Sequence, residues 1–266
     1  MTAPVLAGIL RPEQPPETVL AAARAGAEAG LEEVWIWEDA FSHGAAAIAG
    51  AILGATERMR VGIGVMPFPL RNPALAAMEV AALSRAFPGR VLPGFGHGVQ
   101  EWMGQAGARA RSVLTLEREY VAALRALLAG EEVTASGEYV HLDGVRLSWP
   151  PSEPPALHLA ATGPRSLRLA GEIGDGVILT EDTTVADWPR IRDAVLEGAA
   201  ASGRPAPEFT LFLPPVSRDA REAAEQVRGW IERGITRVAL QPPADEPDPG
   251  GFLRWVACEV APALAP

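Results

Sequence analysis

The sequence predicts an α/β protein, a single (β/α)8 TIM barrel with a short β-hairpin insertion after the fourth helix. Three observations lead there. Short apolar runs alternate with helical patterns through eight units, and their starts fall roughly 20 to 32 residues apart except around one insertion. The length of 266 residues and the hydrophobic content of 48% suit one closed barrel with a large core. No linker, low-complexity tract or charge block divides the chain, so residues 1–266 are expected to form one domain.

The elements follow in order. Val5 to Leu10 is the first apolar run, and Glu17 to Ala29 the first helix, stopped by Gly30. Glu33 to Trp37 is the second strand and ends in Glu38-Asp39. Ala45 to Ala55, small and apolar, is the second helix. Arg60 to Met66 is the third strand, and Pro73 to Phe87 the third helix, with Pro73 in the first turn where its missing N–H costs nothing. Arg90 to Leu92 opens the fourth strand, after which Gly94, Gly96 and Gly98 alternate with Phe95 and His97. A short helical piece, Val99 to Gly107, precedes a stronger helix, Ser112 to Ala129, whose Leu116, Tyr120, Ala123, Leu124 and Leu127 share one face.

From Val133 to Trp149 the rhythm breaks. Short alternating pieces punctuated by Ser136-Gly137 and Asp143-Gly144 carry the signature of antiparallel hairpins. The inserted segment spans about 131–155, and its hairpin region 133–149 is a candidate lid. Strands then recur at Ala156–Ala161, Gly176–Leu179, Phe209–Leu213 and Thr236–Leu240, each before a helix: Pro164–Ile173, Val185–Ala201, Ala220–Arg233 and Gly251–Ala261. A doubly wound open sheet is the competing fold. Against it, the third glycine of a dinucleotide fingerprint would fall on Val99, and the glycines sit on the fourth unit instead of the first.

Composition removes several functions. Acidic residues number 33 against 23 basic, so no nucleic-acid footprint is present, and every basic residue is arginine. Without lysine there is no Schiff-base chemistry, no pyridoxal-phosphate attachment and no P-loop. Any anionic group must be held by arginine, backbone N–H groups or helix N-termini. The lone Cys258 excludes an internal disulfide, and its apolar helical surroundings predict a core position. The N-terminus lacks a basic region ahead of its apolar residues, and no apolar stretch approaches the roughly 18 residues of a membrane span, so a cytoplasmic protein without a membrane partner is expected. His43, His97, His141 and His158 show no metal-ligand spacing, and no metal site is expected.

In such a barrel the chemistry gathers where the strands end. The residues there are Glu38-Asp39, Gly64-Val65-Met66-Pro67, Gly96-His97-Gly98 with Gln100 and Glu101, Thr162-Gly163-Pro164-Arg165-Ser166, and Gln241. The set has few charges and many exposed backbone donors, which suits a flat, partly anionic ligand. Thr162 to Ser166 opens a helix directly after a strand, which makes it the best phosphate candidate, with helix capping by Thr162 as the plain alternative. Trp37, Phe41, Phe68, Trp102 and Met103 are candidates for an apolar substrate pocket.

The order Trp37-Glu38-Asp39, Val61 to Pro67 with Arg71-Asn72-Pro73-Ala74, Gly89-Arg90, Gly94 to Gly98, and Ala161 to Arg165 with Leu169 to Val177 resembles the bacterial luciferase-like flavin oxidoreductases and monooxygenases, particularly their coenzyme F420-dependent branch. The resemblance runs from about residue 4 to 245. It implies a deazaflavin or flavin ring at the strand C-termini, backed by a non-prolyl cis peptide at Gly64-Val65 beside Met66. It also implies that Asp39 touches the ring edge, Gly96 leaves clearance for the ring and Gln100 contacts the cofactor, while Thr162, Gly163, Pro164, Arg165 and Ser166 hold its phosphate.

Two positions depart from that pattern. Where the family's sugar-phosphate dehydrogenases keep a proton-transfer histidine after the aspartate, this chain has Ala40, and where they keep an acid, it has His97. His97, with Asp39, becomes the catalytic candidate, because imidazoles exchange protons near neutrality. The implied activity is hydride transfer between F420 and an unidentified small organic substrate. The alternatives are an FMN-dependent monooxygenase fed by a separate flavin reductase, and a non-catalytic flavin-binding barrel. Family resemblance favours a homodimer.

Overall fold

The apolar runs lie side by side, each parallel to its neighbours, within residues 4–264, the part of the chain that the computed structural model describes. The strands of this sheet are β1 (Val5–Leu10), β2 (Glu33–Ile36), β3 (Arg60–Ile63), β4 (Met66–Pro67), β5 (Val91–Leu92), β6 (Gly94–Gly96), β9 (His158–Ala160), β10 (Gly176–Leu179), β11 (Glu208–Leu213) and β12 (Arg237–Leu240); β7 (Val133–Ser136) and β8 (His141–Val145) stand apart. The sheet order is β4-β6-β9-β10-β11-β12-β1-β2-β3-β5. β3 and β4 are halves of one barrel strand on either side of a cis Gly64–Val65 peptide. β5 and β6 are halves of the next, parted by Pro93, which has no N–H to give the ladder. The pairing therefore begins and ends on the same two strands, and the sheet is a closed barrel.

Around it run α1 (Pro16–Glu28), α2 (Ala45–Ala55), α3 (Pro73–Ala86), α4 (Gln100–Gln105), α5 (Val113–Leu128), α6 (Pro164–Ile173), α7 (Trp188–Ala201), α8 (Ala220–Glu232) and α9 (Pro249–Trp255). Polar caps fix several starts: Asn72 accepts from the N–H of Ala74, Ser112 from Thr115, Asp219 from Arg221 and Glu222, and Asp248 from Gly251. The final helix begins at Pro249, passes into a π-helical turn at Val256–Val260 and ends as α10 (Ala261–Leu264). Cys258 lies on that turn and is exposed, because the wider turn directs Val256 and Val260 inward and leaves Cys258 outside. Its expected core position is thereby corrected.

β7 and β8 pair antiparallel around Gly137–Val140. The carboxylate of Glu119 on α5 accepts the N–H groups of Glu138, Tyr139 and Val140 at 2.9, 2.9 and 3.1 Å, which pins the turn to the barrel's outer layer. Asp143-Gly144 is not a second turn. It lies inside β8, where the Gly144 N–H donates to Thr134 Oγ1 at 3.0 Å beside a bulge.

The barrel interior follows the two-residue period of its strands. Ala7 and Ile9, Trp35, Ile178, Phe212 and Ala239 form the inner core, with Trp37, Val65, Leu92 and Ala160 against it. The Trp35 indole crosses the middle so closely that a Cβ on Gly62 would run into it. One step toward the N-terminal end, the buried inward residues are Glu33, His158, Thr210 and Arg237. Arg237 pairs with Glu33 at 2.8 Å and Glu208 at 2.9 Å, Arg60 reaches Glu33 at 3.2 Å, and the Trp35 N–H donates to Glu33 at 2.8 Å. That end is closed by a polar plug. Among the described residues no helix is long and apolar enough to cross a membrane, and no group of three or more His, Cys, Asp or Glu side chains could hold a metal ion.

Candidate active site

One step the other way, the same alternation leaves the barrel open. A cavity of about 330 Å³ sits at the C-terminal mouth. Its floor is Val65, Ala160, Ile178 and Phe212, one side is Trp37, Glu38 and Asp39, and another is the backbone of Gly64 and of Gly96 to Gly98 with Gln100 and Trp102. A Cβ on Gly96 would come within 2.9 Å of Val65, so bare backbone is required where the two loops face the cavity. The result is an apolar slot walled by peptide groups, the surface that a flat conjugated ring needs.

The polar rim is arranged by local bonds. His97 Nδ1 lies 2.6 Å from the carbonyl oxygen of Gly98. A carbonyl only accepts, so Nδ1 carries the hydrogen and Nε2 is the atom left to take or give a proton. Gln100 uses its Nε2 on the carbonyls of His97 and Gly98 at 3.2 and 3.4 Å, and so braces the loop that presents His97. Asp39 makes no side-chain bond, and burial first, then the negative charge of Glu13, raises its carboxyl above the usual carboxylate range against the opposing pull of Arg11 and His43. Glu38, beside it, has a different task. It accepts from the Ala45 N–H at 2.8 Å and pairs with buried Arg71 at 2.8 Å, anchoring the loop between β2 and α2.

The remaining sequence candidates divide. Thr162 lines the cavity, while Gly163, Pro164, Arg165 and Ser166 form the next turn outside its lining. Gly163, not Thr162, is the helix cap, and it offers no side-chain acceptor; Ser166 donates its hydroxyl to the Gly163 carbonyl at 3.0 Å. The first N–H groups of α6 are therefore left without a side-chain cap at the cavity's edge, which is the condition for holding an anion. Met66 is not at the cavity: it points away from the barrel axis into the core beneath the helices, because its immediate neighbour Val65 takes the inward position and adjacent residues of extended chain face opposite sides. Of the five candidates for an apolar pocket, Trp37 and Trp102 line the cavity, Phe68 and Met103 are buried in the core, and Phe41 is exposed at a φ of 72°. No residue of 131–155 lines it, so the expected lid lies elsewhere, bound to α5. The strand-end reading missed Thr180 and Glu181, directly after β10, and the inward Phe212 of β11.

Comparison with known proteins decides the family. The luciferase-like monooxygenase model matches residues 1–251. The chain belongs to that family. This luciferase-like protein is 27% identical over 252 residues to a 5,10-methylenetetrahydromethanopterin reductase of Methanolobus tindarius, covering 91% of this chain and 77% of the relative. It is 30% identical over 249 residues to an F420-dependent glucose-6-phosphate dehydrogenase of Beutenbergia cavernae, covering 86% and 74%. The coenzyme F420-dependent tetrahydromethanopterin reductase of Methanopyrus kandleri superposes with a TM-score of 0.88 over 99% of this chain and 100% of that one, at 16% identity, a likeness of fold.

Proposed function

We propose that this luciferase-like protein is an F420-dependent oxidoreductase acting on a small organic substrate. The observation that carries the reading is the mouth cavity, an apolar slot with peptide walls and a single imidazole nitrogen free at its rim. The F420-dependent relatives support it. The residues present fit the cofactor: Gly64, Val65 and Gly96 would border its ring, Asp39 and Gln100 its polar edge, and Thr162 with the uncapped start of α6 at Gly163 to Ser166 its phosphate. When bound there, F420 supplies two-electron chemistry by giving or accepting a hydride.

The chain's own part is positioning and proton handling. His97 Nε2 takes or gives the substrate proton, and the Gly98 carbonyl fixes the tautomer that allows it. Asp39, whose carboxyl burial shifts upward, is the second candidate at the rim. The reading further takes residues 1–266 as one domain with 131–155 as an inserted segment. A second copy of this chain is the proposed partner, supported by the exposed Leu75 and Met78 on α3; light scattering of the purified protein tests it.

The deciding experiment is a fluorescence titration of the purified protein with F420 and, separately, FMN. Saturable F420 binding with weak FMN binding is expected. Tight FMN binding without F420 affinity would overturn the reading and bring a flavin reductase into the reaction.

A further inference from the structure

A second cavity, of about 400 Å³, opens at the same end of the barrel among Arg11, Pro214, Pro215, Arg218, Gln241 and Pro242. It lies behind the wall of the first. Arg11 stacks over the Trp37 ring at 4.8 Å, and Trp37 stacks on Phe212 at 5.9 Å, so two of the three aromatic residues that border the mouth cavity are backed by a residue of the second.

Two arginines suggest an anion site, but both are already engaged. Arg11 holds Glu13 with Nε at 3.2 Å and Nη2 at 2.7 Å. Arg218 holds Glu246 at 2.9 Å and lies over the rings of Phe252 at 4.8 Å and Trp255 at 5.1 Å. Each guanidinium is neutralised by a carboxylate, and the rest of the lining is mostly proline and aromatic surface. Gln241 is the exception. It is 5% exposed, its backbone N–H is fixed on the Leu213 carbonyl at 3.0 Å, and its side-chain Oε1 has no hydrogen-bond partner. A buried acceptor left without a donor costs free energy that a ligand hydroxyl recovers.

We propose that this annex is a binding site of its own, which takes an uncharged, largely apolar small molecule with one hydroxyl or amide N–H donating to Gln241 Oε1. Phosphorylated ligands are selected against, since the annex holds no unneutralised cation and the chain contains no lysine. Gln241 is thus the recognition residue of the annex, placed directly after the eighth barrel strand and in phase with its inward row.

The test uses the full chain without cofactor and two probes, cyclohexanol and cyclohexyl phosphate, titrated by NMR. Saturable cyclohexanol binding is expected, weakened about tenfold in Gln241→Met, with cyclohexyl phosphate at least about tenfold weaker than cyclohexanol. A thermal melt of Gln241→Met checks its folding, and a cyclohexanol-soaked crystal of the unaltered protein gives a second readout, the hydroxyl beside Gln241. Tighter phosphate-ester binding, unchanged affinity in the variant, no saturable binding, or density elsewhere each overturns the proposal. F420 titration of the same samples separates the two readings. If cyclohexanol behaves as expected while F420 fails to bind, the cofactor reading falls and the neutral site stands; if F420 binds and cyclohexanol ignores Gln241, the annex alone falls.

Discussion

Glu117 is a carboxyl that the fold keeps out of water without giving it a partner. It sits on the buried face of α5, 1% exposed, and its Oε1 makes no hydrogen bond. The neighbouring Arg118 turns outward to Glu172 at 2.6 Å, so it relieves Glu117 only partly. Burial pushes the Glu117 carboxyl up to about 8 from 4.5. The folded protein therefore holds this proton more tightly than the unfolded chain does. Stability is unaffected below about pH 4.5, falls as the pH rises through the window from 4.5 to about 8, and levels off above it. At pH 7 the unfolded chain has lost the proton and the fold has kept it, a penalty of about 3 kcal/mol at roughly 1.4 kcal/mol per pH unit. Glu117→Gln keeps the shape and removes the titration. Its melting temperature should exceed that of the unaltered protein by roughly 6 to 12 °C at pH 7, from the usual 2 to 4 °C per kcal/mol for a chain of this size, and the gap should close near pH 4.5. Thermal unfolding followed by circular dichroism at both pH values reads it. An equal gap at the two pH values would refute the assignment.

Other residues carry narrower tests. Burial first, then Arg237, holds the His158 imidazole down to about 4 from 6.5, so the folded protein resists the proton that the unfolded chain accepts. Its contribution is intact above about pH 6.5, and about 3 kcal/mol should be lost as the pH falls to 4; urea unfolding across that range should show a shallower loss in His158→Gln. Gly62→Ala forces a methyl into the Trp35 ring and should cost at least about 2 kcal/mol, read as a lowered midpoint in the same assay; an unchanged midpoint would mean the barrel interior is looser than described. His97→Ala should leave F420 affinity nearly unchanged while turnover of whichever substrate screening identifies drops by about 100-fold or more, and equal turnover would remove His97 from the proton path.

Most of the barrel was legible because its signal is local. Apolar runs bounded by Gly, Pro and acidic residues marked each strand, and Asn72-Pro73 and Gly163-Pro164 marked helix starts through backbone preferences that need no tertiary context. The misreadings came where tertiary contacts decide. Asp143-Gly144 has turn chemistry, yet Thr134 across the pair absorbs it into a bulged strand. Cys258 has apolar neighbours, yet a π-helical turn rotates it outward. At the site, Asp39, His97, Gly96 and Thr162 followed from the strand-end rule and do line the cavity. Met66 followed from its neighbours and does not, since Val65, next to it in the chain, takes the inward place and leaves Met66 facing the helices. The partition of Arg11, Trp37 and Phe212 joins three distant segments, and no spacing in the chain announces it.

That partition also shows how packing and specificity are connected in this barrel. Trp35 fills the interior, and Gly62 opposite it has no room for a side chain. One period further out, Trp37 and Gly64 repeat the pairing of indole and glycine, but here Phe212 is the ring that a Cβ on Gly64 would strike. The mouth cavity is therefore the top of the core, with the ring-and-glycine arrangement continued past the point where side chains fill the space. Its floor inherits the rigidity of packed rings, whereas its rim is made of loops held by a few polar contacts: Glu38 to Arg71 and the Ala45 N–H, His97 to the Gly98 carbonyl, and Gln100 to the carbonyls of His97 and Gly98. Substitutions in the inward row of the middle layer should act first on stability, and those one period further out, at Asp39, His97 and Gln241, should change binding or turnover while the barrel stays folded.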